Sequence, residues 1–134
     1  MKYTNTNITG TTAVELSSTG NRVYKISICN THSTDACTIA LYLYKLEQYP
    51  AHTSDTDWTP PSDRDYTYYI LKNYNLPKGG SLKLYEDDIC NEYGNYSVYI
   101  QLGDSGSTVD TIVRSSFFNR SSEDSSRGSR DSSY

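Results

Sequence analysis

The sequence predicts an all-β fold: a single antiparallel β-sandwich of seven or eight strands, jelly-roll-like or immunoglobulin-like, with an extended C-terminal arm. Three observations lead there. Apolar and polar residues alternate over short runs such as CTIALYLYK (37–45) and NYSVYIQL (95–102), which places one strand face against a core. The runs recur at short spacing, divided by turns rich in Gly, Asn, Asp and Ser. No stretch repeats apolar residues at helical spacing. Eight strands favour the jelly roll over the immunoglobulin-like alternative.

Composition agrees with that class. The 134 residues fit one domain with a core of its own. Fourteen tyrosines stand against two Phe and one Trp, and mean hydropathy is −0.69. Tyr and Thr favour strands. A tyrosine pairs an apolar ring with a wet hydroxyl and is enriched at protein interfaces. So many of them either meet another protein or cover a thin core.

Residues 2–8, KYTNTNI, read as an edge strand or an extended arm, ended by Gly10. TTAVEL (11–16) is a short β-prone run before the turn at 17–21. Residues 22–45 look like the centre of the sheet. Tyr24, Ile26 and Ile28 alternate, the polar residues 31–36 follow, and Cys37, Ile39, Leu41 and Leu43 alternate again. The expectation is a β-hairpin. Residues 46–65 form a long polar loop with Pro50, Pro60, Pro61 and the only tryptophan, Trp58. Trp58 is either a plug on the domain's own core or an anchor on a partner.

YTYYILKN (66–73) carries large side chains on both faces, as a strand covered by two layers does. Pro77, Gly79 and Gly80 turn the chain into a strand through Leu82 and Leu84. Residues 87–94 connect, with Ile89 inward. In 95–102, Tyr96, Val98, Ile100 and Leu102 face in, and Ser97, Tyr99 and Gln101 face out. Residues 103–106 form a hairpin loop, and TVDTIVR (108–114) closes the domain. The sandwich therefore spans 1–114 and the arm 115–134. The arm is Ser-rich, and Arg120, Arg127 and Arg130 match Glu123, Asp124 and Asp131. It has little besides Phe117 and Phe118 to bury, so it is expected to be disordered when free and to order by docking on a neighbour, with a floppy solubilising tail the alternative.

No catalytic, cofactor or metal site is expected. His32 and His52 lie in separate loops, and Cys29, Cys37 and Cys90 make no zinc-knuckle spacing. The cysteines read as thiols; Cys29 and Cys37 at a hairpin mouth leave a disulfide as the alternative. Asp55, Asp57, Asp63 and Asp65 read as a solvated acidic loop, with Ca²⁺ the alternative; DTDWTPPSDRD lacks the EF-hand glycine and closing Glu. No G-x-S-x-G elbow is present. A net charge of −4 argues against nucleic acid as the main partner. No run is apolar enough for a membrane span, and MKYTNTNITG lacks an apolar signal core.

Three segments carry a resemblance: ISICNTHSTDACTIALYLYK, YYILKNYNLPKGGSLKLYEDD and YSVYIQLGDSGSTVDTIVR. Together, over roughly residues 13–114, they resemble the small β-sandwich virion proteins of tailed bacteriophages, which decorate heads or form parts of necks, tails and fibres. The loop with Trp58 and the Ser/Arg tail depart from the family's shorter pattern. The resemblance implies a non-enzymatic structural protein, assembled in the host cytoplasm into the virion. Capsid decoration or cement is the first placement, and a neck, tail or fibre component the second. The implied partners are other virion proteins, the major capsid protein or tail and neck proteins, and further copies of this chain. Tyr49, Trp58, Phe117, Phe118, Arg120 and Arg127 are the candidate contact residues. A carbohydrate-binding sandwich module, with Trp58 and a loop tyrosine as its platform, is the rival expectation.

Overall fold

Eight strands and one helical turn follow one another among the described residues. They are β1 (Lys2–Thr9), β2 (Val14–Ser17), β3 (Asn21–Asn30), β4 (Cys37–Glu47), β5 (Arg64–Leu76), β6 (Ser81–Tyr85), α1 (Glu86–Ile89), β7 (Ser97–Leu102) and β8 (Thr108–Phe117). The structure is a computed structural model that describes residues 1–47, 64–91 and 93–117. Tyr49, Trp58, Phe118, Arg120, Arg127 and most of the long loop lie outside the described residues.

The strands form two four-stranded sheets, ordered β1-β8-β3-β6 and β2-β7-β4-β5. Every neighbouring pair is antiparallel. β1 pairs with β8, β2 with β7, β3 with β6 and β4 with β5, as in one long hairpin. Folding it over brings β8 beside β3 and β7 beside β4. That is a jelly roll, the double-sheet wrap of two Greek keys.

The core lies between the sheets. Ile8, Val23, Ile26, Ile28, Ile39, Leu41, Val98, Ile100, Val109 and Val113 are buried there. Each such side chain removed from water contributes about 1.5–3 kcal/mol. Ile89 of α1 joins the same core, fully buried. The acidic first turn of that helix suits its N-terminal dipole, and Cys90 ends it at φ 61 with an N–H bond to Glu86 O.

Several expectations need correction. β3 and β4 are both strands, but they are not a hairpin: one lies in each sheet. Residues 31–36 arch across the sandwich instead. Alternation fixes which face is buried and says nothing of pairing partners. A six-residue polar link is long enough to cross the roughly 10 Å between sheets. Residues 103–106 likewise carry the chain from β7 in one sheet to β8 in the other. Tyr24 does not share the inward face of Ile26 and Ile28. A bulge between Val23 and Lys25 turns Val23 inward, fully buried, and leaves Tyr24 beside Arg22 on the outside. β5 is an edge strand, not a strand between layers, and Tyr68 and Tyr69 are about half exposed. Residues 2–8 take the edge-strand option. β8 runs three residues beyond Arg114, with Ser115 buried.

Candidate interaction surface

The outer face of the second sheet follows from the inner one. Because Ile39, Leu41 and Leu43 of β4 face the core, Thr38, Ala40, Tyr42 and Tyr44 face out. Register then assembles a row across the strands. Tyr42 stands opposite Tyr99 of β7 and Tyr69 of β5, and Tyr99 stands opposite Glu15 of β2. The Tyr42 and Tyr99 rings stack at 5.7 Å and 9°; Tyr42 and Tyr69 tilt at 5.4 Å; Tyr44 meets Tyr99 edge-on at 5.9 Å. Such pairs contribute about 0.5–1.5 kcal/mol each beyond area burial. Burial pushes the Tyr42 phenol up, and the neighbouring Tyr69, Tyr99 and Tyr44 push it further. The Lys72 ammonium sits 5.0 Å over the Tyr69 ring.

Beside this row lies a shallow trough of about 300 Å³. Thr38, Ala40 and Gly103 form its floor. Tyr69, Lys72 and Asn73 line one side, and Thr11 and Gln101 the other. Two irregularities in the β4–β5 register make this wall. Leu71 pairs with Leu41 and Tyr74 with Ile39, so β5 fits Lys72 and Asn73 opposite Ala40 alone. Asn73 takes a left-handed conformation, φ 57, to do so. Gly103 donates its N–H to Thr38 O at 2.9 Å, and a Cβ there would lie 3.1 Å from Thr38 Cβ. A larger residue at 103 crowds the floor.

A second aromatic group stands at the root of the long loop. Tyr68 meets Tyr96 edge-on at 5.8 Å, the Tyr66 and Tyr68 rings lie parallel, and Lys45 sits over Tyr96. Leu46, which follows Lys45 in β4, is 49% exposed.

The outer face of the first sheet is cationic and aromatic. The bulge that turns Tyr24 outward places it between Arg22 and Arg114, whose guanidinium carbons lie 5.1 and 5.8 Å from its ring centre. Lys25 stands opposite both Arg114 and Tyr85, and its ammonium covers the Tyr85 ring. Arg22 also bridges to Glu86 at 3.4 Å. The Nε atoms of Arg22 and Arg114 are shielded from solvent and have no hydrogen-bond partner.

Of the six candidate contact residues, Phe117 is the one within the described residues. It ends β8 opposite Asn21, 68% exposed, with its ring edge against Gly20. The three cysteines are free: Cys29 is half-buried, Cys37 buried and Cys90 exposed. Cys29 and Cys37 belong to different sheets, so they do not flank a hairpin mouth. Burial, and then the Asp104 carboxylate, push the Cys37 thiol up. His32 is held in its loop: its Nδ1 accepts the Thr34 and Asp35 N–H groups at 3.1 Å each. Among the described residues, no three His, Cys, Asp or Glu side chains group as a metal site.

Sequence reading placed Tyr99 and Gln101 outward but missed the row and the trough. Both depend on register across three strands, and on a bulge that no local pattern announces. No family model matches the chain, and the comparisons with curated proteins and with solved structures give no match.

Proposed function

We propose that the chain is a non-enzymatic structural protein of a tailed-phage virion, a decoration or cement subunit first and a neck, tail or fibre component second. The observation that carries the reading is Phe117. A large aromatic ring, 68% exposed, stands at the last residue of β8, where residues 118–134 begin. An exposed ring at that point suits an anchor, with Phe118, Arg120 and Arg127 continuing the contact onto a neighbouring subunit. Tyr49 and Trp58 of the long loop supply a second contact. The resemblance of residues 13–114 to small phage sandwich proteins supports the placement. So does the first sheet's outer face, rich in the Arg and Tyr that interfaces favour. Many modest contacts repeated by particle symmetry add up to firm attachment.

The test is incorporation. Full-length chain and chain truncated after Phe117 are each supplied during assembly, and purified particles are assayed for both. Particles are expected to take up the full chain and to lose the truncated one. Equal uptake of the two sinks the arm.

The rival, a carbohydrate-binding module, is favoured by one specific observation, the polar trough on the second sheet. That trough is lined by described residues, whereas the Trp58 platform of the sequence-based expectation lies outside them.

A further inference from the structure

We propose that the trough on the outer face of the second sheet binds a saccharide chain. This does not rest on the virion reading, since it concerns the face opposite the cationic first sheet.

The chemistry of the lining selects the ligand class. A sugar ring offers an apolar C–H face and a rim of hydroxyls, each both donor and acceptor. Its recognition calls for an aromatic surface beside amides, hydroxyls and a flexible donor. The trough supplies that set. Tyr69 contributes a phenol and the half of its side chain that stays exposed beside Tyr42 and the Lys72 ammonium, and Lys72 contributes that ammonium. Asn73 contributes an exposed side-chain amide, and Thr11 and Thr38 contribute hydroxyls. Gln101 donates its Nε2 to Thr11 O at 2.9 Å, so its amide is held in place with Oε1 as an acceptor. Ala40 and Gly103 keep the floor low enough for a ring to enter.

Volume and charge argue against other classes. About 300 Å³ is at the small end for ligand sites, which suits one or two sugar units of a longer chain lying along an open trough. The lining carries one cation and neither a glycine-rich loop before a helix nor a second basic residue, so it does not suit a nucleotide phosphate. The threonines, amides and ammonium leave little for a purely apolar ligand.

The site is also built in advance. Its floor belongs to β4, an interior strand. One wall is pinned by the Gln101–Thr11 bond, and the other by the bulge with Asn73 at φ 57. Preformed walls lower the ordering cost of binding.

The experiment is an array of neutral, amino-sugar and uronic-acid oligosaccharides probed with the full chain. Titration calorimetry with the best-retained oligosaccharide follows. Ala40→Phe fills the floor, Tyr69→Ala removes the aromatic wall, and Tyr85→Ala on the opposite sheet is the control. Retention of at least one oligosaccharide is expected, weakened about tenfold or more by Ala40→Phe and by Tyr69→Ala, and unchanged by Tyr85→Ala. Should Ala40→Phe fail to fold, Gln101→Ala, at an exposed position, is expected to show the same weakening. An array that retains no wild-type protein overturns the proposal. So does a folded trough variant that binds as wild type, or a loss at Tyr85→Ala equal to that at Tyr69→Ala.

Discussion

Asn30 is a buried polar residue on which two connections of the fold converge. It is fully buried, and its amide nitrogen donates to Asp35 O and Leu76 O, 3.0 Å each. Its amide oxygen accepts the His32 N–H at 2.9 Å. Its backbone N–H reaches Gly80 O, and its carbonyl accepts from Gly79 N. One side chain thus ties the β3–β4 arch to the β5–β6 turn. Asn30→Ala takes the donor from the buried Leu76 carbonyl and the partners from the part-buried Asp35 carbonyl and His32 N–H, and is expected to cost about 2–4 kcal/mol in urea unfolding. A cost below about 1 kcal/mol contradicts this role. Tyr42 gives a pH prediction. Its folded-state phenol is pushed up by burial and by its tyrosine neighbours, so the unfolded chain loses its proton first as pH rises. The stability tied to Tyr42 is intact below the ordinary phenol value near 10 and declines as pH climbs through the raised one. Thermal melts across the alkaline range are expected to show that decline in wild type and a shallower one in Tyr42→Phe.

At the scale of elements, β5 shows what a sequence can and cannot declare. Its existence was legible, because large residues run through 66–71 between polar boundaries. Its place was not. Tyrosine alternation does not report burial, since the same ring serves an inner face and a wet one. Bulges let Ile70 and Leu71 both turn toward the core while Tyr69 turns away. β3 and β4 were legible as strands for the same local reason, and their separation into two sheets was hidden because pairing is a long-range property. β8 carries the prediction for this scale. Ser115, Ser116 and Phe117 pair with Lys2 on one side and with Val23, Arg22 and Asn21 on the other. Truncation after Phe117 is expected to leave the melting temperature within a few degrees of the full chain. Truncation after Arg114 is expected to lower it clearly. Equal melting of the two puts the end of the fold at residue 114.

The whole molecule is a sandwich with two unlike outer faces. One sheet shows arginine and lysine over tyrosine rings; the other shows a tyrosine row and a polar trough. The fold class was legible from short alternating runs and turn residues, and strand order emerged only from register. Of the contact residues expected from the sequence, Phe117 alone lies among the described residues. The trough was hidden because residues from β5, β4 and β7 meet there from distant parts of the chain. Fold alone assigns no activity, so the proposed virion role is decided by whether particles take up the chain. The most direct test of the proposed virion role is a cryo-electron microscopy map of tailed-phage particles assembled in cells that also express this chain. The expected result is an eight-stranded sandwich on the particle, with Phe117 and residues 118–134 against a neighbouring subunit. Particles that lack the chain, or that carry it with Phe117 facing solvent, contradict the reading.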